Sequence, residues 1–121
     1  MSRPNVPHAV VLARGSLAGE AAPLAVRVAL ALPLAGLEVR LLLAGPASLL
    51  GLAEPPDLGP WGGALERELQ ALIEEDVAIG VEQESLATLG LEGRPLRPGV
   101  AKLGRSEVEE LCATAGTCLV L

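Results

Sequence analysis

Three polar residues, Glu82, Gln83 and Glu84, stand between the apolar run VAIGV and the segment SLATLGL. The run has the length and composition of a buried strand, and the segment reads as a short helix stopped at Gly90, a good left-handed cap. The carboxylates therefore fall at a strand-to-helix joint. In open α/β proteins such joints line the ligand crevice, because strand ends and helix N-termini converge there. Glu82 or Glu84 could act there as an acid-base catalyst. No nucleophile, metal ligand or oxyanion donor is recognisable beside them. The simpler reading is electrostatic: two negative charges at a helix N-terminus, each worth about 0.3–1 kcal/mol against the dipole.

A second candidate is the loop RGSLAGE after the first apolar run, with Gly15 and Ser16 at its start. Backbone N–H groups and a helix N-terminus there could hold a small anion. The loop lacks the Lys-Ser/Thr ending of a phosphate-binding loop, and its Gly15-x-x-x-Gly19 spacing is not a dinucleotide fingerprint. A tight turn with Ser16 near the helix cap explains it more simply. His8 begins a strand and has no carboxylate, Ser or Cys partner in sequence. Cys112 and Cys118 are separated by five residues without a CxxC pattern or a neighbouring His, so neither a zinc site nor a dithiol redox motif is spelled out. Both read as small buried hydrophobes with protonated thiols. No cofactor and no metal are expected.

The 121 residues carry 9 Lys and Arg against 15 Asp and Glu, a net charge of -6, and Trp61 is the one aromatic residue. That balance argues against a phosphate backbone as direct partner, and the missing aromatics remove the stacking platforms that single-stranded nucleic acids need. Half the residues are hydrophobic, which excludes disorder. Asn5 is the one Asn and ten prolines are present, a profile compatible with a heat-adapted source. The most apolar stretch, Ala21 to Leu37, is broken by Arg27, Pro23 and Pro33 and follows a strand-like segment, so it reads as a buried helix rather than a membrane span or leader. A cytoplasmic, reducing setting follows as the expectation.

The elements that must position these residues alternate. HAVVLA is a strand of a parallel sheet, about Gly19 to Ala35 a helix, LEVRLLL a second strand and AGPASLLGL a short helix. The first helix is apolar nearly all round, with Leu24, Val28 and Leu32 on one side and Val26, Leu30 and Leu34 on another. One face covers the sheet and the other is expected to meet a second subunit. AEPPDLGPWGG is a surface loop. Trp61, Leu65, Leu69, Leu72 and Ile73 recur at helical spacing, with Glu66, Arg67 and Glu74 opposite. Val77 to Val81 is a third strand, and a fourth, shorter one lies around Val100. Ser106 and Glu109 suggest a capping box for a last helix with Val108, Leu111, Cys112 and Ala115 on its apolar face, and TCLVL closes the chain as a buried strand. The expectation is one domain over residues 1–121, a three-layer α/β/α arrangement with a mainly parallel sheet of about five strands in a flavodoxin-like layout.

The arrangement resembles the DsrE/DsrF/DsrH and TusB/TusC/TusD sulfur-relay family. The likeness rests on VVLARG, the long apolar helix and LEVRLLLAG, and above all on VAIGVEQESLATLGL, PGVAKLG and SEVEELCATAGTCLVL. The Ser85-Leu86 to Gly90-Leu91 spelling is closest to the TusC/DsrF branch, whose members are companion subunits. In the catalytic members, similar to TusD and DsrE, a cysteine at the end of the third strand accepts a persulfide. Counting back from Gly90, Glu82 occupies that position here. A carboxylate is no sulfur nucleophile and repels an incoming thiolate.

The resemblance implies a non-catalytic oligomeric subunit of an intracellular sulfur relay. It would be a homotrimer or homohexamer, or a hetero-oligomer with homologous subunits. The alternative is a homo-oligomeric small-ligand or anion-binding protein using Gly15, Ser16 and the crevice of Glu82, Gln83, Glu84 and Ser85. Ranked third is an enzyme, either a sulfurtransferase through Cys112 or Cys118 or an acid-base catalyst through Glu82 or Glu84.

Overall fold

A computed structural model describes residues 8–121. Five strands, β1 (His8–Ala13), β2 (Glu38–Leu43), β3 (Ala78–Glu82), β4 (Val100–Leu103) and β5 (Thr117–Val120), form a wholly parallel sheet in the order β4-β3-β2-β1-β5. Between them run α1 (Ala21–Ala31), α2 (Gly62–Glu74), α3 (Gln83–Thr88) and α4 (Arg105–Thr114). Parallel neighbours need crossovers, and their right-handedness decides which face each helix takes. The first three connections step strand by strand in one direction, so α1, α2 and α3 share a face. The last returns from β4 to the far side of β1, which sends α4 to the opposite face.

The side chains divide accordingly. Val11, Leu41, Leu43, Ile79 and Val81 pack with Val26 of α1, Leu65, Leu69 and Leu72 of α2 and Leu86 of α3. The alternate residues Val10, Leu12, Leu42 and Ala44 pack with Val108 of α4, flanked by Leu103, Leu111 and Cys112. The fold is therefore the expected three-layer α/β/α sandwich, with a sheet that is parallel throughout.

α1 corrects two expectations. The helix gives way to a 3-10 turn at Leu32–Ala35 and stops at Gly36, whose φ is 82°. Pro33 lacks the N–H that a longer α-helix would require, and glycine accepts the left-handed stop. The face on the sheet is made by Ala22, Ala25, Val26 and Ala29, while Leu24 is 48% and Leu34 90% exposed. Small residues let the helix axis approach the strands, so alanines win the inner face over leucines. α2 matches its pattern, with Leu65, Leu69 and Leu72 buried and Trp61 half-buried in the turn before it.

The proline-rich segment before β4 is anchored by Arg97. Its guanidinium grips Glu66 of α2 through two bonds of 2.6 and 2.7 Å, its Nε donates to the Leu50 carbonyl, and its backbone N–H donates to the Gly51 carbonyl at 2.9 Å.

Two further expectations fail at the C-terminal end. β5 is an edge strand paired with β1 alone, and all four of its residues are exposed rather than buried. An edge strand has one neighbour in the sheet and little of the helix layers over it. Ser106 and Glu109 do not form the capping box. β4 runs through Leu103 and leaves only Gly104 before the helix, so α4 begins at Arg105 and the Glu107 carboxylate accepts the Gly104 N–H at 3.2 Å. Among the described residues no helix is long and apolar enough to cross a membrane.

Candidate functional site

A parallel sheet opens a crevice at the C-terminal ends of adjacent strands whose following helices lie on opposite faces. Here that condition holds for β3, which leads to α3, and β4, which leads to α4. The crevice has a volume of about 690 Å³, and Arg14, Ala44, Glu82, Arg105, Glu109 and Cys112 are among the residues that line it. Arg14 follows β1, Ala44 follows β2, Glu82 ends β3, and Arg105 opens α4. Strand ends thus supply three of these six residues, and the start of α4 a fourth.

Glu82 is the last residue of β3 rather than a residue of the joint, and this decides where its side chain goes. It pairs in register with Leu103, and alternation directs it to the face that α4 covers. It is 8% exposed. A buried carboxylate needs donors, and it has two: Ser85 Oγ–H at 2.7 Å and the Arg105 guanidinium at 3.3 Å, both on Oε1. Ser85, also buried, in turn accepts the Gly45 N–H at 2.8 Å. One hydroxyl therefore ties α3 to the exit of β2 and to the carboxylate that ends β3.

Glu84 does different work from that expected of it. Its carboxylate accepts the Arg105 N–H at 2.9 Å, the first donor of α4, so it caps a neighbouring helix as well as standing in the first turn of its own. That backbone bond, with smaller help from its own N–H and from the Arg105 charge, holds the Glu84 carboxyl below the usual range. Gln83 is exposed and makes no side-chain bond among the described residues.

Gly15 and Ser16 are not brought to this crevice. The N–H groups of Arg14 and Gly15 donate to the Leu121 carbonyl at 2.9 and 3.2 Å, which fixes the loop against the chain end. A Cβ on Gly15 would stand 2.6 Å from that of Ala21, so glycine is needed for the close approach of α1. Ser16 Oγ accepts the Ala18 N–H at 3.1 Å in a local turn. Their neighbour Arg14 reaches the crevice instead, and among the described residues no carboxylate lies within ion-pair distance of it.

The cysteines also depart from the expectation of burial: Cys112 is half-buried and lines the crevice, and Cys118 is exposed. Burial, with the Cys118 thiol beside it, pushes the Cys112 thiol up to about 11, so it stays protonated at neutral pH. Arg14, Arg105 and Cys112 carried no motif. The available signal for both arginines was position, since each stands at the step from a strand into the following connection. Among the described residues no three His, Cys, Asp or Glu side chains gather as a metal site. Chemically, the crevice offers two guanidinium groups and two carboxylates, of which Glu82 is already occupied by internal donors.

Among solved structures, the YchN protein from E. coli superposes on this chain with a TM-score of 0.80 and 24% identity, over 95% of this chain and 99% of that one. The fold is DsrE-like. Comparison with protein-family models and with curated proteins finds no significant match.

Proposed function

We propose that the chain is a non-catalytic DsrE/TusC-like protein, nearest the TusC/DsrF branch, and that it serves as an oligomeric subunit of an intracellular sulfur relay. The observation that carries this reading is Glu82. At the end of β3 it puts a buried carboxylate, bonded to Ser85 and Arg105, where the catalytic proteins that the sequence resembles hold a cysteine. Such a group cannot carry a persulfide. The outer side of the first helical segment supports a subunit role, since Leu24 and Leu34 are presented to solvent. The test is the mass of the native assembly, purified alone and from its own cells. A mixed assembly containing a homologue with cysteine at the position of Glu82 supports the proposal, and self-assembly alone in both preparations refutes it.

A second reading is favoured by Arg14 and Arg105, which give the crevice two cations, one of them without an ion-pair partner among the described residues. In this reading a homo-oligomer binds a small anion there. Thermal-shift screening with phosphate, thiosulfate and nucleotides tests it: a ligand at one hundred times its dissociation constant adds about 2.7 kcal/mol. A flat screen removes it.

A further inference from the structure

The turn between α4 and β5 brings the two cysteines together. α4 ends at Thr114 and β5 begins at Thr117, so the chain reverses within two residues. Cys112 lies on the side of α4 that packs against the sheet. Cys118 is in register with Val10, and its side chain rises from the sheet face on which α4 sits. The two thiols thus stand on one face of the sheet across a two-residue turn, and Cys118 is among the neighbours that raise the Cys112 thiol. Their surroundings differ, with Cys118 at the open edge of the sheet and Cys112 in the crevice wall beside Glu82 and Arg105.

We propose that Cys112 and Cys118 are a redox modification site, closed to an intramolecular disulfide by exchange with a low-molecular-weight disulfide and opened again by a thiol. In the first step the Cys118 sulfur attacks the small disulfide RSSR, the S–S bond breaks, and RSH leaves with the proton of Cys118. In the second, the Cys112 sulfur attacks Cys118 in the mixed disulfide. The S–S bond between Cys118 and the SR group breaks as the Cys112–Cys118 bond forms, and the departing thiolate RS⁻ takes the proton of Cys112. The protein has then lost two hydrogens and RSSR has become two RSH. The order follows from access: the exposed thiol meets the reagent, and the protonated, half-buried one reacts once its partner is held against it. Closing the bridge ties the Cys112 sulfur, which lines the crevice with Glu82 and Arg105, to Cys118 of β5.

The test uses the full native chain, fully reduced, incubated with oxidised glutathione at mildly alkaline pH, then alkylated and analysed by intact mass and peptide mapping. The expected product has lost two hydrogens, carries no glutathione, links the Cys112 and Cys118 peptides, and reverts with a dithiol. Cys112→Ser should instead retain one glutathione on Cys118, and Cys118→Ser should remain unmodified over the same period. A wild-type chain that keeps glutathione on Cys118, or that forms only dimers linked through Cys118, overturns the proposal. The wild-type result decides the matter even if a variant folds poorly.

Discussion

Ser85 joins the candidate site to the fold, and replacing it with alanine tests both. The substitution removes the donor to Glu82 at 2.7 Å and the acceptor of the Gly45 N–H at 2.8 Å, with Ser85 and Glu82 both buried. A hydrogen bond to a charged group is worth about 1.5–3 kcal/mol and a neutral one about 1 kcal/mol. The expected loss from Ser85→Ala is therefore about 2–4 kcal/mol. Arg105 offsets little of it, because its side chain is 56% exposed and its approach to Glu82 is 3.3 Å. Glu82→Gln keeps the shape and an acceptor for the hydroxyl, so alone it should cost less than about 1 kcal/mol. In the Ser85→Ala background, however, it neutralises a carboxylate that has lost its nearest donor, and there it should be neutral or stabilising. A double-mutant cycle by urea denaturation should thus show a coupling of about 1 kcal/mol. A Ser85→Ala cost below about 1 kcal/mol, with effects that simply add, would refute the account of Glu82 as a carboxylate held by Ser85.

Three further outcomes are expected. Gly80→Ala puts a Cβ 2.5 Å from Leu103 Cδ1 and 3.2 Å from Leu42 Cδ2, an overpacking that should cost about 1–3 kcal/mol in urea unfolding and be partly relieved by Leu103→Ala. The two-pronged bond from Arg97, aided by its charge and opposed by desolvation, lowers the Glu66 carboxyl, so ionisation is favoured in the folded state. That stabilisation is present in full above the ordinary glutamate range of about pH 4.3 and is lost as pH falls through the lower native value. Melting curves from pH 6 to pH 3 should therefore fall more steeply for wild type than for Glu66→Gln. The difference should stay under about 1 kcal/mol because the Glu66 side chain is 45% exposed. Leu34→Glu, at a residue 90% exposed in the single chain, should leave thermal stability of a monomer unchanged. A fall in native mass on that substitution would place Leu34 in a subunit interface, and an unchanged oligomer would exclude it.

What the sequence could disclose divides along the distinction between local pattern and connection order. β1 has the boundaries HAVVLA announces, Gly90 takes the left-handed φ of 72° that its helix stop requires, and α4 turns Val108, Leu111 and Cys112 inward. Each of these depends on neighbours a few residues away. Which strand lies at an edge, and which adjacent strands send helices to opposite faces, depend on the whole path of the chain. That is why TCLVL, apolar enough for a central strand, is exposed as β5, and why Cys118 is at the surface. It is also why Glu82 was legible as a candidate and Arg105 was not. Glu82 precedes a helix signal in its own segment, whereas Arg105 becomes its partner only because β4 lies beside β3 and departs to the other face. The sheet order also accounts for the pairing of functions in one crevice. The same return from β4 to β5 that opens the switch point above Glu82 carries α4 across it, and so sets Cys112 in its wall and Cys118 on the same face at the sheet edge. An exchange reaction at that edge would thus act on the crevice through α4, the helix whose first residue, Arg105, donates to Glu82.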